Sequence, residues 1–159
     1  MTLFSPTSLF KESNFKIMFR ESDLPAIEVM VITSSIPGFN ISQIDIARPG
    51  LADKRPGNLL TFNDLKVSVI CDEKLEVYKE IHSYLLATSN PETANYSVDY
   101  PIFDAILNLT TNKNNFQHKI TFYNAFFKSI GPIGLQSSTT EDTQVTFDLD
   151  MAYVYYNFE

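Results

Sequence analysis

Apolar residues recur at every second position through much of this chain, and the alternation is clearest near its end. From Gln144 to Glu159, one face of an extended chain carries Val145, Phe147, Leu149, Met151, Tyr153 and Tyr155. Gln144, Thr146, Asp148 and Asp150 begin the other face, and Ala152, Val154, Tyr156 and Phe158 finish it. The pattern predicts one long strand, amphipathic at first and apolar on both faces at its end. At a sheet edge such a strand invites aggregation unless something covers it. A partner subunit is one such cover.

Five further strands follow from the same period. Phe15, Ile17 and Phe19 mark the first, and Ile27, Val29 and Val31 the second, after a turn at Asp23-Leu-Pro25. Ser34-Ser-Ile-Pro-Gly38 ends it. Leu65, Val67, Val69 and Cys71 mark the third, and Phe103, Ala105, Leu107 and Leu109 the fourth. Phe116, His118, Ile120 and Phe122, continued by Phe126, mark the fifth, with Thr110–Ile120 read as a hairpin. One helix is predicted from about Glu73 to Ala87, capped by Asp72. Its apolar stripe is Leu75, Tyr78, Ile81, His82, Leu85 and Leu86. Ser89–Asn95 reads as a loop.

Two stretches resist the period. Residues 1–14 read as an irregular arm whose Leu3, Phe4, Leu9 and Phe10 need a surface to rest on. Residues 39–63 read as a long projecting loop or hairpin. Within it, Arg48-Pro-Gly50 and Arg55-Pro-Gly57 predict two reversals. The expected fold is mainly β, a sandwich or barrel of about six strands with one flanking α-helix, in a single domain over 1–159.

Composition narrows the function. The chain has 159 residues, 44% of them hydrophobic, which fits one globular domain that buries roughly 70% of its unfolded surface. A formal charge of −7 argues against gripping nucleic acid by its phosphates. It leaves room for a surface that DNA slides past. Cys71 is the single cysteine, so no internal disulfide forms. The first ten residues lack the charged and apolar regions of a secretion signal. No apolar run approaches the roughly 20 residues that span a bilayer.

Catalytic clusters are scarce. His82 and His118, the two histidines, are read as partly buried packing residues rather than ligands. Cys71 is read as a buried, inert thiol rather than a nucleophile. Asp148 and Asp150 share a strand face roughly 7 Å apart, a span that carboxylate pairs in hydrolases also use. A solvated face is the favoured reading, because nothing else in the sequence completes a site. No catalytic residue, metal site or cofactor is expected, and the five glycines form no phosphate loop.

Two stretches resemble the tail tube protein of contractile-tailed bacteriophages of the T-even kind. In Leu60-Thr-Phe-Asn-Asp-Leu-Lys-Val-Ser-Val-Ile-Cys-Asp-Glu73, Thr61, Phe62, Asp64, Val67, Val69, Asp72 and Glu73 match a family pattern. That pattern leads into a Val-x-Val strand and closes on an acidic pair before a helix. The C-terminal strand from Phe147 to Glu159 is similar to the family's last strand, and the Ser35-Ile-Pro-Gly38 turn to a family turn. The resemblance implies a fold like the type VI secretion tube protein. It implies homo-hexameric rings, each with an inner wall of strands from all subunits, stacked into a tube. DNA passes through the lumen without specific binding, and a contractile sheath surrounds the tube. Sheath, baseplate and tape-measure proteins are the implied partners. The implied place is the virion tail, assembled in the host cytoplasm, with no membrane contact.

On this reading the protein is structural and not an enzyme. Expected inter-subunit or inter-ring contacts are Leu3, Phe4, Ile44, Ile46, Leu51, Leu59, Leu60, Val154, Tyr156 and Phe158, and Asp148 and Asp150 are candidate lumen-facing acids. Three alternatives stand beside it. One is a baseplate tube-initiator or tube-terminator ring of the same fold. Another is a monomeric β-barrel that binds a small apolar ligand. The third is a hydrolase using Asp148 and Asp150.

Overall fold

The computed structural model describes residues 15–20, 31–92, 95–96, 102–110, 115–137 and 144–159. The expected N-terminal arm, with Leu3 and Phe4, lies outside these residues, as do Ile27 and Val29 of the second strand. The elements are β1 (Phe15–Arg20), β2 (Val31–Ser34), β3 (Phe39–Arg48), β4 (Leu51–Phe62) and β5 (Leu65–Ile70). After them come α1 (Glu76–Thr88), β6 (Ser89–Asn90), β7 (Asn95–Tyr96), β8 (Phe103–Thr110), β9 (Phe116–Ile130), β10 (Thr146–Ala152) and β11 (Tyr155–Phe158).

One seven-stranded antiparallel sheet dominates, in the order β1-β8-β9-β10-β5-β2, with β11 also paired to β9. The expectation of a mainly β fold with one helix agrees. Strand β9 is its spine and runs far past the predicted Phe126. Its first half pairs with β8 and β11, and its second half with β10. Asn124 sits at the bend with φ of 52°, a left-handed conformation that Asn tolerates better than most residues. Its N–H donates to Asp104 Oδ1 at 3.1 Å. The bend resets the alternation. Ile120 and Phe122 are buried before it, Ala125 and Phe127 after it, and Phe126 is turned out.

The core lies between the curled halves of the sheet and α1. Ile17, Leu65, Val67, Val69, Leu107, Ile120, Phe122, Phe147, Leu149 and Met151 are almost fully buried. The helix contributes Val77 and Ile81, with Tyr78, Tyr84 and Leu85 packed alongside. Tyr78 meets Phe147 edge-on at 5.3 Å, and Tyr84 meets Phe127 at 4.9 Å. The buried stripe is therefore set on Val77 rather than on Leu75, His82 and Leu86, which are all exposed. The helix starts three residues later than expected. Leu75 adopts φ of 57°, and this left-handed step rotates the stripe. Asp72 still serves the start: its Oδ2 accepts the Glu76 N–H at 3.1 Å. That bond holds the Asp72 carboxyl below the usual range.

The C-terminal strand is two strands rather than one. It breaks at Tyr153–Val154, where the Val154 N–H donates to Tyr123 O at 3.1 Å. The extra residue shifts the phase. Tyr156 turns inward beside Phe122, and Tyr155 turns out onto Tyr123, stacked at 4.7 Å. The unbroken odd-numbered face thus ends at Tyr153, and Val145 at its start is exposed. The predicted 89–95 loop contains the short β6–β7 ladder.

Candidate assembly surface

Among the described strands, β3 and β4 pair only with each other. They form a hairpin roughly 33 Å long by strand rise. Pro49-Gly50 turns the chain, with Gly50 at φ of 80°, the residue order of a type II turn. The second Pro-Gly pair makes no reversal. Ile41 pairs with Leu60 and Gln43 with Pro56, so Ser42 alone opposes Gly57, Asn58 and Leu59. This is a bulge, one of the few places where Pro is tolerated within a strand. A Cβ on Gly57 would lie 2.1 Å from Ser42 Oγ and 2.9 Å from Ser42 O, so the bulge needs glycine there. The Leu59 N–H donates to Ser42 Oγ at 3.1 Å.

Aromatic rings tie the root of the hairpin to the sheet. Phe39 opposes Phe62 with ring centres 5.6 Å apart. Phe62 meets Tyr153 at 6.0 Å and Tyr156 at 5.5 Å. Both tyrosines reach the buried Phe122, at 5.0 and 5.4 Å. The Tyr153 hydroxyl donates to Asn63 O at 2.7 Å and the Tyr156 hydroxyl to Pro37 O at 3.1 Å. Each ring pair contributes about 0.5–1.5 kcal/mol beyond its burial. Burial pushes the Tyr153 phenol up to about 12, with smaller effects from Tyr156 and Asp64.

Beyond the root the hairpin is uncovered and exposes apolar side chains on both faces, set among charged ones such as Asp45, Lys54 and Arg55. Residues paired across a ladder share a face. One face carries Phe39, Ile41, Leu60 and Phe62, and the other carries Ile44, Ile46 and Leu51. Leu51 is 72% exposed, Leu59 63% and Ile41 58%; Ile44 and Leu60 are also exposed, and Ile46 is half-buried. At the tip Asp53 bridges Arg48 and Arg55, each at 3.5 Å. Val154 and Phe158 are exposed at the chain's end, whereas Tyr156 is taken up in the aromatic relay. So the structure gathers Ile44, Ile46, Leu51, Leu59 and Leu60 on one projection, and Val154 and Phe158 on a separate edge.

The candidate chemical groups do not converge. Asp148 and Asp150 project from the face of β10 opposite Phe147, Leu149 and Met151. They accept from different hydroxyls, Ser68 Oγ at 2.5 Å and Ser129 Oγ at 3.0 Å. His82 and His118 are exposed rather than partly buried: His82 lies off the buried helix stripe, and His118 pairs with Leu109 near the start of β9. Cys71 is half-buried, and burial together with Asp72 pushes its thiol up, away from thiolate character. Among the described residues no group of three or more His, Cys, Asp or Glu could hold a metal. Of the residues at this joint, Phe39 is one the periodicity missed, whereas Tyr153 lay on the predicted apolar face and Phe62 in the matched stretch. The signal lay in the hairpin count: from Pro49-Gly50 an unbroken ladder sets Phe39 opposite Leu60, and only the bulge brings it to Phe62.

A sheet with an uncovered hairpin that exposes Ile41, Ile44, Leu51, Leu59 and Leu60 offers a surface for contact with another chain. A family model described as phage tail tube protein matches residues 4–159, and the chain belongs to that family. The family is one of structural phage tail components rather than enzymes. No curated protein matches by sequence. Solved structures match by fold. A chain in the sheath-tube complex of the extracellular contractile injection system PVC is 12% identical, with TM-score 0.64, covering 97% of this chain and 93% of that one. A chain in the six-fold symmetrised baseplate of the anti-feeding prophage is 9% identical, with TM-score 0.65 and coverage of 98% and 97%. A type six secretion system protein is 14% identical, with TM-score 0.54 and coverage of 91% and 82%.

Proposed function

We propose that this chain is the repeating subunit of a phage tail tube. Six copies close a ring, rings stack, and the β3–β4 hairpin of one ring lies against the next. Residues 1–159 act as a single tube-type domain, with residues 1–14 as an arm toward a neighbour. The stacked rings form a conduit for DNA inside a contractile sheath, joined to a baseplate and filled before ejection by a tape-measure protein. The acidic balance of −7 suits a wall that does not hold phosphates.

The hairpin carries this reading. Its two faces expose Ile41, Ile44, Leu51, Leu59 and Leu60, and burying such a side chain is worth about 1.5–3 kcal/mol. Several buried together offset the roughly 4–15 kcal/mol cost of association. Concentrated protein should therefore show rings and tubes by electron microscopy. Leu59→Asp or Leu60→Asp should stop stacking and leave a folded subunit. Tubes of normal length from either variant would show that the hairpin is not the stacking surface. A ring at the baseplate end is the second reading, supported by a fold likeness as strong for the baseplate chain as for the sheath-tube chain. Growth that stops at one ring would favour it.

A further inference from the structure

Strand β11 has four residues, and among the described strands it pairs with β9 alone. A strand this short on one neighbour belongs to the low-stability end of a fold. Its inner face nevertheless carries Tyr156, on which Phe39 and Phe62 of the hairpin root rest. The outer face shows what holds it. Lys119 of β9 and Glu159, the residue after β11, exchange both backbone hydrogen bonds, at 3.0 and 2.7 Å. The Lys119 ammonium also donates to Glu159 Oε2, and the Tyr123 hydroxyl to Glu159 Oε1 at 3.4 Å.

The Tyr123 ring is at the same time stacked on Tyr155 at 4.7 Å. One side chain of β9 therefore touches β11 at both Tyr155 and Glu159. Thr121 stands between Lys119 and Tyr123 on that face, paired with Asn157, and is buried. The charges agree with the geometry. The Lys119 bond holds the Glu159 carboxyl below the usual range, with smaller shares from Tyr123 and Arg20. Burial, and then Glu159, raises the Tyr123 phenol.

We infer that Glu159 is a positioning residue for the hairpin. Its clamp on Lys119 and Tyr123 holds β11 against β9, and this keeps Tyr156 between Phe122 and the hairpin root. Releasing the outer face loosens a joint on the inner face, and the aim of the hairpin follows the clamp. Resting on the tube reading above, the clamp thereby tunes stacking. The Lys119 and Glu159 side chains are 28% and 43% exposed, so added salt weakens it.

Glu159→Lys tests the inference by setting like charges across the β9–β11 ladder. Hydrogen exchange is read on subunit too dilute to assemble. The Lys119 and Val154 amides bond to Glu159 O and Tyr123 O. Their protection should fall about tenfold, the scale of a lost ion pair and a new cross-strand repulsion. The Asn63 amide, bonded to Gly38 O at 3.0 Å in the hairpin root, should lose protection with them. Amides of β5 and β8 should keep theirs. The swapped pair, Glu159→Lys with Lys119→Glu, should restore the wild-type pattern. Unchanged protection at Lys119 and Val154, or a swap that restores nothing, overturns the clamp. Loss there with Asn63 unchanged overturns its coupling to the hairpin. Should Glu159→Lys fail to fold, salt decides. High salt should deprotect the same three amides in the wild type, and Glu159→Gln should abolish that response. A response absent from the wild type, or kept by Glu159→Gln, overturns the clamp. In concentrated protein Glu159→Lys should shorten tubes and the swap restore them. Tubes of normal length despite a deprotected Asn63 overturn the link to stacking. If the wild type forms no tubes, the tube reading falls, while exchange still decides the clamp.

Discussion

Truncating Tyr156 should loosen the hairpin from the subunit without touching the hairpin itself. The ring of Tyr156 lies between Phe122 of the core and Phe39 and Phe62 of the hairpin root, at 5.4, 6.2 and 5.5 Å. Its hydroxyl closes the same joint by donating to Pro37 O at 3.1 Å. Replacing a fully buried large aromatic by alanine costs about 3–5 kcal/mol. Tyr156 is half-buried, so the loss of its ring is worth about 2 kcal/mol on that scale. The hydrogen bond adds about 1 kcal/mol. Tyr156→Ala should therefore destabilise the subunit by about 3 kcal/mol, and Tyr156→Phe by about 1 kcal/mol. For a chain of this size the first corresponds to a fall in melting temperature of about 6–12 °C.

The assay is urea unfolding at subunit concentrations too low for rings, with hydrogen exchange on the same samples. Exchange adds the spatial prediction. Amides of β3 and β4 near Phe39 and Phe62 should lose protection before those of β5 and β8. Leu51→Ala at the exposed tip is the control and should change stability by less than about 0.5 kcal/mol. A loss below about 1 kcal/mol in Tyr156→Ala would refute the relay. So would a uniform loss of protection across the sheet, because it would mean that Tyr156 merely packs the core.

Gly57→Ala should disturb the bulge, since its Cβ would approach Ser42 Oγ to 2.1 Å and Ser42 O to 2.9 Å. Tube length by microscopy should fall sharply while the melting point of the dilute subunit changes little; unchanged tubes would show that the bulge geometry is irrelevant to stacking. At high pH, burial holds the phenols of Tyr84 and Tyr153 up to about 12 against an ordinary 10.0. The neutral phenol is thus favoured in the folded chain. Its contribution to stability is fully present below pH 10 and is lost as pH rises through about 12. Phenolate absorbance should show Tyr84 and Tyr153 titrating late, alongside Tyr123, whose phenol burial also raises, and the urea midpoint should decline over that window; a midpoint flat from pH 10 to 12 would contradict the assignment.

The sequence read well wherever one backbone geometry holds for a whole element. The alternations at Phe15–Phe19, Leu65–Val69 and Phe103–Leu109 appear in the structure as buried, in-register faces. It read poorly where one residue resets the phase. Leu75 and Asn124, at φ of 57° and 52°, rotate the helix stripe and bend β9. Leucine gives no sign of such a conformation, and Asn only permits it, so packing around each selects it. The extra residue at Val154 acts in the same way, whereas the bulge at Gly57, with two extra residues, slides the register by two and keeps the faces. Each leaves the composition of a strand intact and moves the residues beyond it to a new partner. That displacement brings Tyr156 under Phe62, and Phe62 opposite Phe39. The joint between the hairpin and the core is therefore made by two irregularities meeting, one in β4 and one between β10 and β11. A regular version of either strand would carry the same residues yet leave the hairpin without its aromatic anchor. Irregularity in a strand costs ladder hydrogen bonds. Here two such losses are offset at one place, the joint that sets where the apolar hairpin points.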